Sequence, residues 1–183
     1  MSRNIWFFSD HHFSQANILK FKDKDGNLIR PMFSDVDEMD DYMVEMWNEY
    51  IKQGDIVWHL GDITFNQEKF VTKILNKLHG KLRITVGNHD DIKFLARLGR
   101  FEKIVESRRF DEMRFIASHR QLHSCNLWNH RKQWEIANVT GHIHQNDPPE
   151  GPYINVCVER TNYKPVHIED VAAQVKKLLE NSC

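Results

Sequence analysis

The sequence predicts an α/β fold, a sandwich with mixed sheets, on two observations. In the first half, short apolar runs that end in polar residues alternate with segments of helical periodicity. In the second half, strand-like runs follow one another with few helices between them. The strand, helix, strand, helix, strand order of the first half implies a sheet wound with crossovers.

Residues 4–9 form the first strand, an apolar and aromatic run that ends in Ser9-Asp10. Ser34 is expected to cap a helix that runs through Tyr50, with Met39, Tyr42, Met43, Met46 and Trp47 spaced three to four residues apart. Residues 55–60 repeat the buried strand and end in Gly61-Asp62. Residues 67–78 repeat the helical rhythm in Phe70, Val71, Ile74, Leu75 and Leu78. The third run, residues 81–86, leads into Gly87-Asn88-His89-Asp90, so three strands stop at residues capable of chemistry. Strands are then expected at 104–110 and 113–118, separated by the turn Asp111-Glu112, and at 136–140 and 153–158. Residues 146–152 read as a surface loop from their Asp-Pro-Pro and Gly-Pro content, and the amphipathic segment 168–179 should pack back on the sheet.

At 183 residues the chain suits one domain spanning 1–183. With 40% hydrophobic and 28% charged residues and nothing of low complexity, a disordered chain is excluded. Apolar runs such as Ile5-Trp6-Phe7-Phe8 fall far short of the ~20 residues a membrane span needs, and the N-terminal stretch lacks the pattern of a secretory signal. Cys125, Cys157 and Cys183 are odd in number with no CxxC spacing. That argues against a disulfide framework or thiolate zinc site and suits a reducing cytoplasm, the host's if the chain is phage-encoded. A net charge of -1 gives no basic footprint, so a nucleic-acid substrate would have to be held locally.

Chemistry is concentrated in five short pieces: Asp10-x-His12, Gly61-Asp62, Gly87-Asn88-His89-Asp90, Ser118-His119 and Gly141-His142-Ile143-His144. They supply hard oxygen and imidazole donors from several segments, as a two-metal hydrolytic centre requires. Alternate residues of an extended segment would put His142 and His144 on one side. Each piece alone reads more simply as a capped turn, a βα turn or a pair of ordinary strand histidines. It is the order of all five that carries the argument.

That series, D-x-H, GD, GNHD, H and GHxH, resembles the signature of the calcineurin-like metallophosphoesterases. Ser9-Asp10-His11-His12-Phe13, Asn17-Ile18-Leu19-Lys20-Phe21, Arg30-Pro31-Met32-Phe33, Glu38-Met39-Asp40, Val57-Trp58-His59-Leu60-Gly61-Asp62, Asn155-Val156-Cys157-Val158 and Asn162-Tyr163-Lys164-Pro165-Val166 look like the small single-domain bacterial and phage branch. Cys157 stands where glycine is expected, Glu159-Arg160-Thr161 departs from the usual acidic-then-aromatic stretch, and residues 120–133 are idiosyncratic.

The resemblance implies an αββα sandwich of two mixed β-sheets flanked by helices. It also implies two divalent transition metals, manganese first, with iron, zinc or nickel as alternatives. Asp10, His12, Asp62 and His144 would hold one ion and Asp62, Asn88, His119 and His142 the other, with Asp62 as the bridge. His89 would contact the phosphoryl oxygen or protonate the leaving group, with Asp90 orienting it, and His11, Asn17 and Arg30 are candidates for substrate contact. The implied reaction is hydrolysis of a phosphodiester or phosphomonoester of a small or nucleotide-like substrate, by in-line attack of a metal-bound hydroxide. Two alternatives stand beside it: a nuclease or nucleic-acid end-processing phosphatase, and a non-catalytic metal-binding scaffold. Several features read as structural. Asp23-Lys24-Asp25-Gly26-Asn27 echoes a calcium loop but has Leu28 where that loop needs glycine, and so is a hairpin turn. His59 and His79 fit structural roles, His123 and His130 are loop histidines near the expected cleft, and Trp47, Trp58 and Phe7 are core aromatics.

Overall fold

A computed structural model describes residues 4–128 and 134–180. In chain order its strands are β1 (Ile5–Phe8), β2 (Ile56–His59), β3 (Lys81–Thr85), β4 (Phe101–Val105), β5 (Ser107–Phe110), β6 (Phe115–Ser118), β7 (Ala137–Thr140), β8 (Tyr153–Asn155) and β9 (Val166–His167). Its α-helices are α1 (Val36–Tyr50), α2 (Gln67–Lys69), α3 (Ile92–Arg97) and α4 (Ile168–Glu180). One sheet has the order β4-β3-β2-β1-β9, the other β5-β6-β7-β8. Both are mixed: β1 to β4 are parallel with β9 antiparallel, and β6 to β8 are parallel with β5 antiparallel. The expected sandwich of two mixed sheets flanked by helices is therefore present.

Alternation along the strands explains the layers, because successive side chains point to opposite faces. Phe7, Ile56 and Trp58 of the first sheet pack with Phe115, Ala117 and Val139 of the second. The Phe7 ring sits 5.7 Å from that of Phe115 and 5.6 Å from that of Phe110. Phe8 and Val57 point the other way, into a second core with Met39, Met43 and Trp47 of α1. Trp47 and Trp58 are fully buried, as expected of core aromatics, and burying each such side chain contributes about 1.5–3 kcal/mol. Helix α4 closes the sandwich through Ile168, Val171, Val175 and Leu179.

Several boundaries differ from the sequence expectation. The expected strand 104–110 is two strands that belong to different sheets and are separated by Glu106. A corner between sheets leaves the period-2 pattern intact, so the pattern cannot reveal it. Helix α1 is capped by Asp35, whose carboxylate accepts from the Asp37 and Glu38 amides, one residue later than expected. Ser34 instead donates to the Glu38 carboxylate at 2.6 Å. The helix expected at 67–78 is a turn of α2, a π segment at Phe70–Ile74 and a 3-10 turn at Leu75–Lys77, and it still buries Phe70, Ile74 and Leu75. Helix α3 and strand β9 were not expected; six and two residues are too short for periodicity to show. The turn at Asp23 is as expected: its carboxylate accepts the Asp25 and Asn27 amides, and Lys22 bridges Leu28.

Parallel register decides where the chemistry goes. Phe8 pairs with His59 and His59 with Ile84, so the chain leaves β1, β2 and β3 at one sheet edge, just before Asp10, Asp62 and Asn88. In the second sheet Ser118 pairs with Thr140, which brings His119 and His142 to its matching edge.

Candidate metal centre

Two groups of side chains meet at these edges. Asp10, His12 and His144 form one triad and Asp62, His119 and His142 the other, with the donor atoms of each triad all within 4.8 Å of one another. The two are joined at Asp62, whose Oδ2 lies 3.4 Å from His119 Nε2 and 3.8 Å from His12 Nε2. Asn88 adds its Oδ1, 3.0 Å from His119 Nε2. The seven residues expected as ligands thus converge from five separate segments.

Local backbone geometry is unusual at these positions. Asp10, His12, Asp62, His142 and His144 all have positive φ, between 49° and 73°. A non-glycine residue held there costs about 1–3 kcal/mol and persists only where surrounding contacts enforce it. The contacts are visible. Asp10 Oδ2 accepts from the Ser9 hydroxyl, the His142 amide and the Cys157 thiol. Asp62 Oδ1 accepts from the His89 amide. A Cβ on Gly141 would collide with Ser9 Oγ and Asp10 Oδ2, and one on Gly87 with the Asp62 carboxylate, so both positions require glycine for close approach.

The donor set fits a pair of divalent cations. Asp10 Oδ1 and both ring nitrogens of His12 are buried without a hydrogen-bond partner, each the kind of orphan that costs about 1–3 kcal/mol if left so. His119 Nδ1 lies 2.8 Å from the Leu60 carbonyl, which can only accept, so Nδ1 carries a proton and Nε2 is turned to the centre. Nε2 then faces Asn88 Oδ1, a second lone pair, an arrangement that a proton or a metal cation between them makes favourable. His144 is fixed the same way, with Nδ1 2.9 Å from Glu159 Oε1. Carboxylate or carbonyl partners on the far nitrogen are the usual orienting device for metal-binding histidines.

The charges are consistent with this. Burial alone would raise the Asp10 carboxyl, but His12, His119 and His144 hold it well below the usual carboxylate range. Asp62 is likewise lowered against the effect of burial, by His119, the His89 amide and His12. Burial lowers His119 and His144, yet their carboxylate neighbours raise both above the ordinary imidazole value. His142 is lowered, by burial and by His119 and Arg120.

The other expected site residues divide between the mouth of the centre and the interior. His89 is exposed, its ring 5.3 Å from that of Phe65 and 5.8 Å from that of His12. Asp90 does not reach the His89 ring in the way expected. Its carboxylate accepts from the Gly87, Asp62 and Ile63 amides and so ties the third-strand loop to the second. Its pKa is raised, by burial and by the Asp62 charge. Arg30, proposed for substrate contact, has no exposed surface. Its guanidinium donates to the Asp10 and His11 carbonyls and to Glu159. His11 is 1% exposed, hydrogen-bonded to His59 at 2.8 Å and stacked on Phe13. Of the three, Asn17 alone lines a cleft. His79 is structural, with Nδ1 on the Ile51 carbonyl. His123 caps a short turn through Cys125, and His130 lies outside the described residues.

Sequence reasoning missed Glu159, which pairs the buried Arg30 and orients His144 with one oxygen. The signal was present as a departure from the expected stretch after Val158. It also missed the thiol of Cys157, which donates to Asp10 and is held well above its ordinary pKa by burial and by Asp10.

Fold and site together define a two-sheet α/β protein with two His/Asp groups that could hold metal ions at the strand ends. The chain belongs to the family of the uncharacterized protein MJ1445 of Methanocaldococcus jannaschii, with 32% identity over 184 residues covering 96% of this chain and 93% of that one. It is also 33% identical over 91 residues to the gene 66 protein of Mycobacterium phage D29, a match that spans 48% of this chain and 40% of the phage protein. Among solved structures, a protein of unknown function from Aquifex aeolicus, AQ665, shares the fold, with a TM-score of 0.68 at 21% identity, covering 94% and 99% of the two chains. No family model matches the sequence. Among the described residues, no helix is long and apolar enough to cross a membrane.

Proposed function

We propose that the protein is a two-metal phosphoesterase acting on a phosphodiester or phosphomonoester of a small or nucleotide-like substrate. The observation that carries this reading is the place of Asp62 Oδ2, within 3.8 Å of a histidine from each triad. One carboxylate oxygen so placed suits a bridge, because an anion between two dications offsets their repulsion. Asp10, His12 and His144 would hold one ion beside Asp62, and Asn88, His119 and His142 the other. Mixed oxygen and imidazole ligation without thiolate suits manganese, iron, zinc or nickel. Ions bound there would supply Lewis-acid stabilisation of the phosphoryl charge and a water nucleophile active near neutral pH.

The protein's own groups take the remaining roles. The His89 imidazole has no hydrogen-bond partner among the described residues and stands at the mouth of the centre, free to contact a phosphoryl oxygen or protonate a leaving group. That freedom supports an enzyme over a scaffold, in which this side chain would have nothing to do. Asp90 acts through Asp62, holding its amide at 2.8 Å, and is a positioning residue. Arg30 and His11 serve as supports for the Asp10 to His12 loop, and Asn17 keeps its place as a substrate contact.

The test is a screen of manganese-loaded protein against monoesters, linear diesters, cyclic mononucleotides and 2′,3′-cyclic phosphates. His89→Ala should retain both metals while losing about 10²–10⁴-fold in turnover of bis-p-nitrophenyl phosphate. No turnover of any ester by the wild-type protein would refute the reading, and unchanged turnover by the variant would remove His89 from it.

A further inference from the structure

Two clefts reach the centre, one at each triad. One, of about 480 Å³, reaches Asn88 and His119 and mixes the apolar Val86, Ile92 and Leu122 with Glu106, Arg120 and Gln121. The other, of about 410 Å³, reaches His12, His89 and His144 and is bounded by Phe21, Phe65, Asn17 and Lys20. The second has a composition that folding does not explain. Phe21 is 47% and Phe65 51% exposed, although each could have been buried at a gain. Phe65 is not a loose side chain: its amide donates to the Phe13 carbonyl at 3.0 Å, which fixes its backbone to the loop that carries His12. Lys20 makes no ion pair with a described residue, and the Asn17 amide makes no hydrogen bond with one.

We propose that this cleft is the nucleobase subsite of a nucleotide substrate. The inference rests on the phosphoesterase reading of the metal centre and deepens it. Two exposed phenyl groups offer faces on which a base can stack, and such stacking tolerates any base because every base has a π face. Asn17 offers a donor and an acceptor to the polar edge that a plain hydrocarbon ring lacks. Lys20 supplies a positive charge for a second phosphate or for the ester itself. His12, His89 and His144 line the same cleft as the two phenyl groups, so a base stacked on a phenyl face would turn its phosphate toward the metals. A purely apolar ligand would leave the amide and the ammonium unused, and a sugar phosphate without a base would leave both phenyl groups bare.

Calorimetric titration of manganese-loaded protein with AMP and with ribose 5-phosphate separates the base from the rest of the ligand. AMP should bind about tenfold more tightly or better, the effect of one stacked base. Phe65→Ala and Phe21→Ala should each remove most of that preference while leaving ribose 5-phosphate within about twofold, and Phe65→Trp should restore it. Phe21 makes no ring contact with His89, so a loss in that variant cannot come from a displaced histidine. Both phenyl groups are half exposed, so neither variant endangers folding. Equal affinity for the two ligands, or an equal loss of both in the alanine variants, would overturn the subsite. Turnover of bis-p-nitrophenyl phosphate in the same preparations keeps the two claims apart. Turnover without a preference for AMP sinks only the subsite, and a preference for AMP without any turnover sinks only the hydrolase.

Discussion

Replacing Glu159 with glutamine keeps the shape of the side chain and removes one charge at the point where the fold grips the centre. The Glu159 side chain is 2% exposed, and its Oε1 accepts from Arg30 Nη2 at 2.7 Å, Arg30 Nε at 2.9 Å and His144 Nδ1 at 2.9 Å. Burial would raise its carboxyl, but Arg30 and His144 hold it below the usual value, so it is an anion at neutral pH. Glu159→Gln leaves the fully buried Arg30 guanidinium without its counter-ion. Removing one partner of a buried pair costs about 3–5 kcal/mol, and the amide oxygen can still accept, which puts the expected loss near the lower figure. At about 2–4 °C per kcal/mol for a chain of this size, the melting temperature should fall by about 6–12 °C. His144 Nδ1 keeps an acceptor but loses the anion that raises the basicity of its ring, and perturbing such an outer partner typically costs 10–100-fold in metal affinity. Thermal melts and manganese titration of the variant, with exposed Glu150→Gln as control, measure both. Wild-type metal affinity in Glu159→Gln would refute the role given to this residue, whatever happened to its stability.

Two further outcomes follow from the same contacts. Gly141→Ala should abolish manganese binding by the Asp10 triad, because the added methyl collides with Ser9 and Asp10; full occupancy by metal analysis would contradict the packing described. Burial holds the His59 pKa at about 3 and that of His11 well below the usual value, while the unfolded chain protonates both near pH 6.5. Their contribution to stability is therefore complete above pH 6.5 and is lost as pH falls toward the folded values, which for His59 amounts to about 1.4 kcal/mol by pH 5.5. In urea unfolding at pH 7.5 and 5.5, His59→Gln should lose about 1.4 kcal/mol less between the two than the wild type does. An identical pH dependence would show that the His59 ring is not held neutral.

The sandwich was legible because its strands are short, apolar and separated by turn signals, as in Ile5–Phe8 and Ile56–His59, and because parallel strands buried on both faces read as continuous apolar runs. What pattern could not show was where the chain changes sheets, at Glu106, since a corner does not alter the alternation. The ligand positions were readable because each is a short motif placed after a strand, and parallel register then brings such strand ends together. The supports were harder. Arg30 was expected at the substrate from the resemblance, whereas here two backbone carbonyls and Glu159 satisfy it in the interior. Glu159 itself is remote in sequence from His144 and carries no motif. The strained φ values at five ligand positions leave no trace in composition, since Asp and His adopt them only under the contacts made by Ser9, Cys157 and Asp90. Phe21 and Phe65 were invisible as site residues because an exposed phenylalanine is distinguished from a core one only by its surroundings.

On the proposed reading, Asp62 joins two metal positions into one centre. Titrating metal-free protein with manganese, and counting bound ions per chain for the wild type and Asp62→Asn, tests it most directly. The wild type should bind two equivalents, and the variant should bind both ions more weakly together. Loss of one ion with the other bound at unchanged affinity would contradict it.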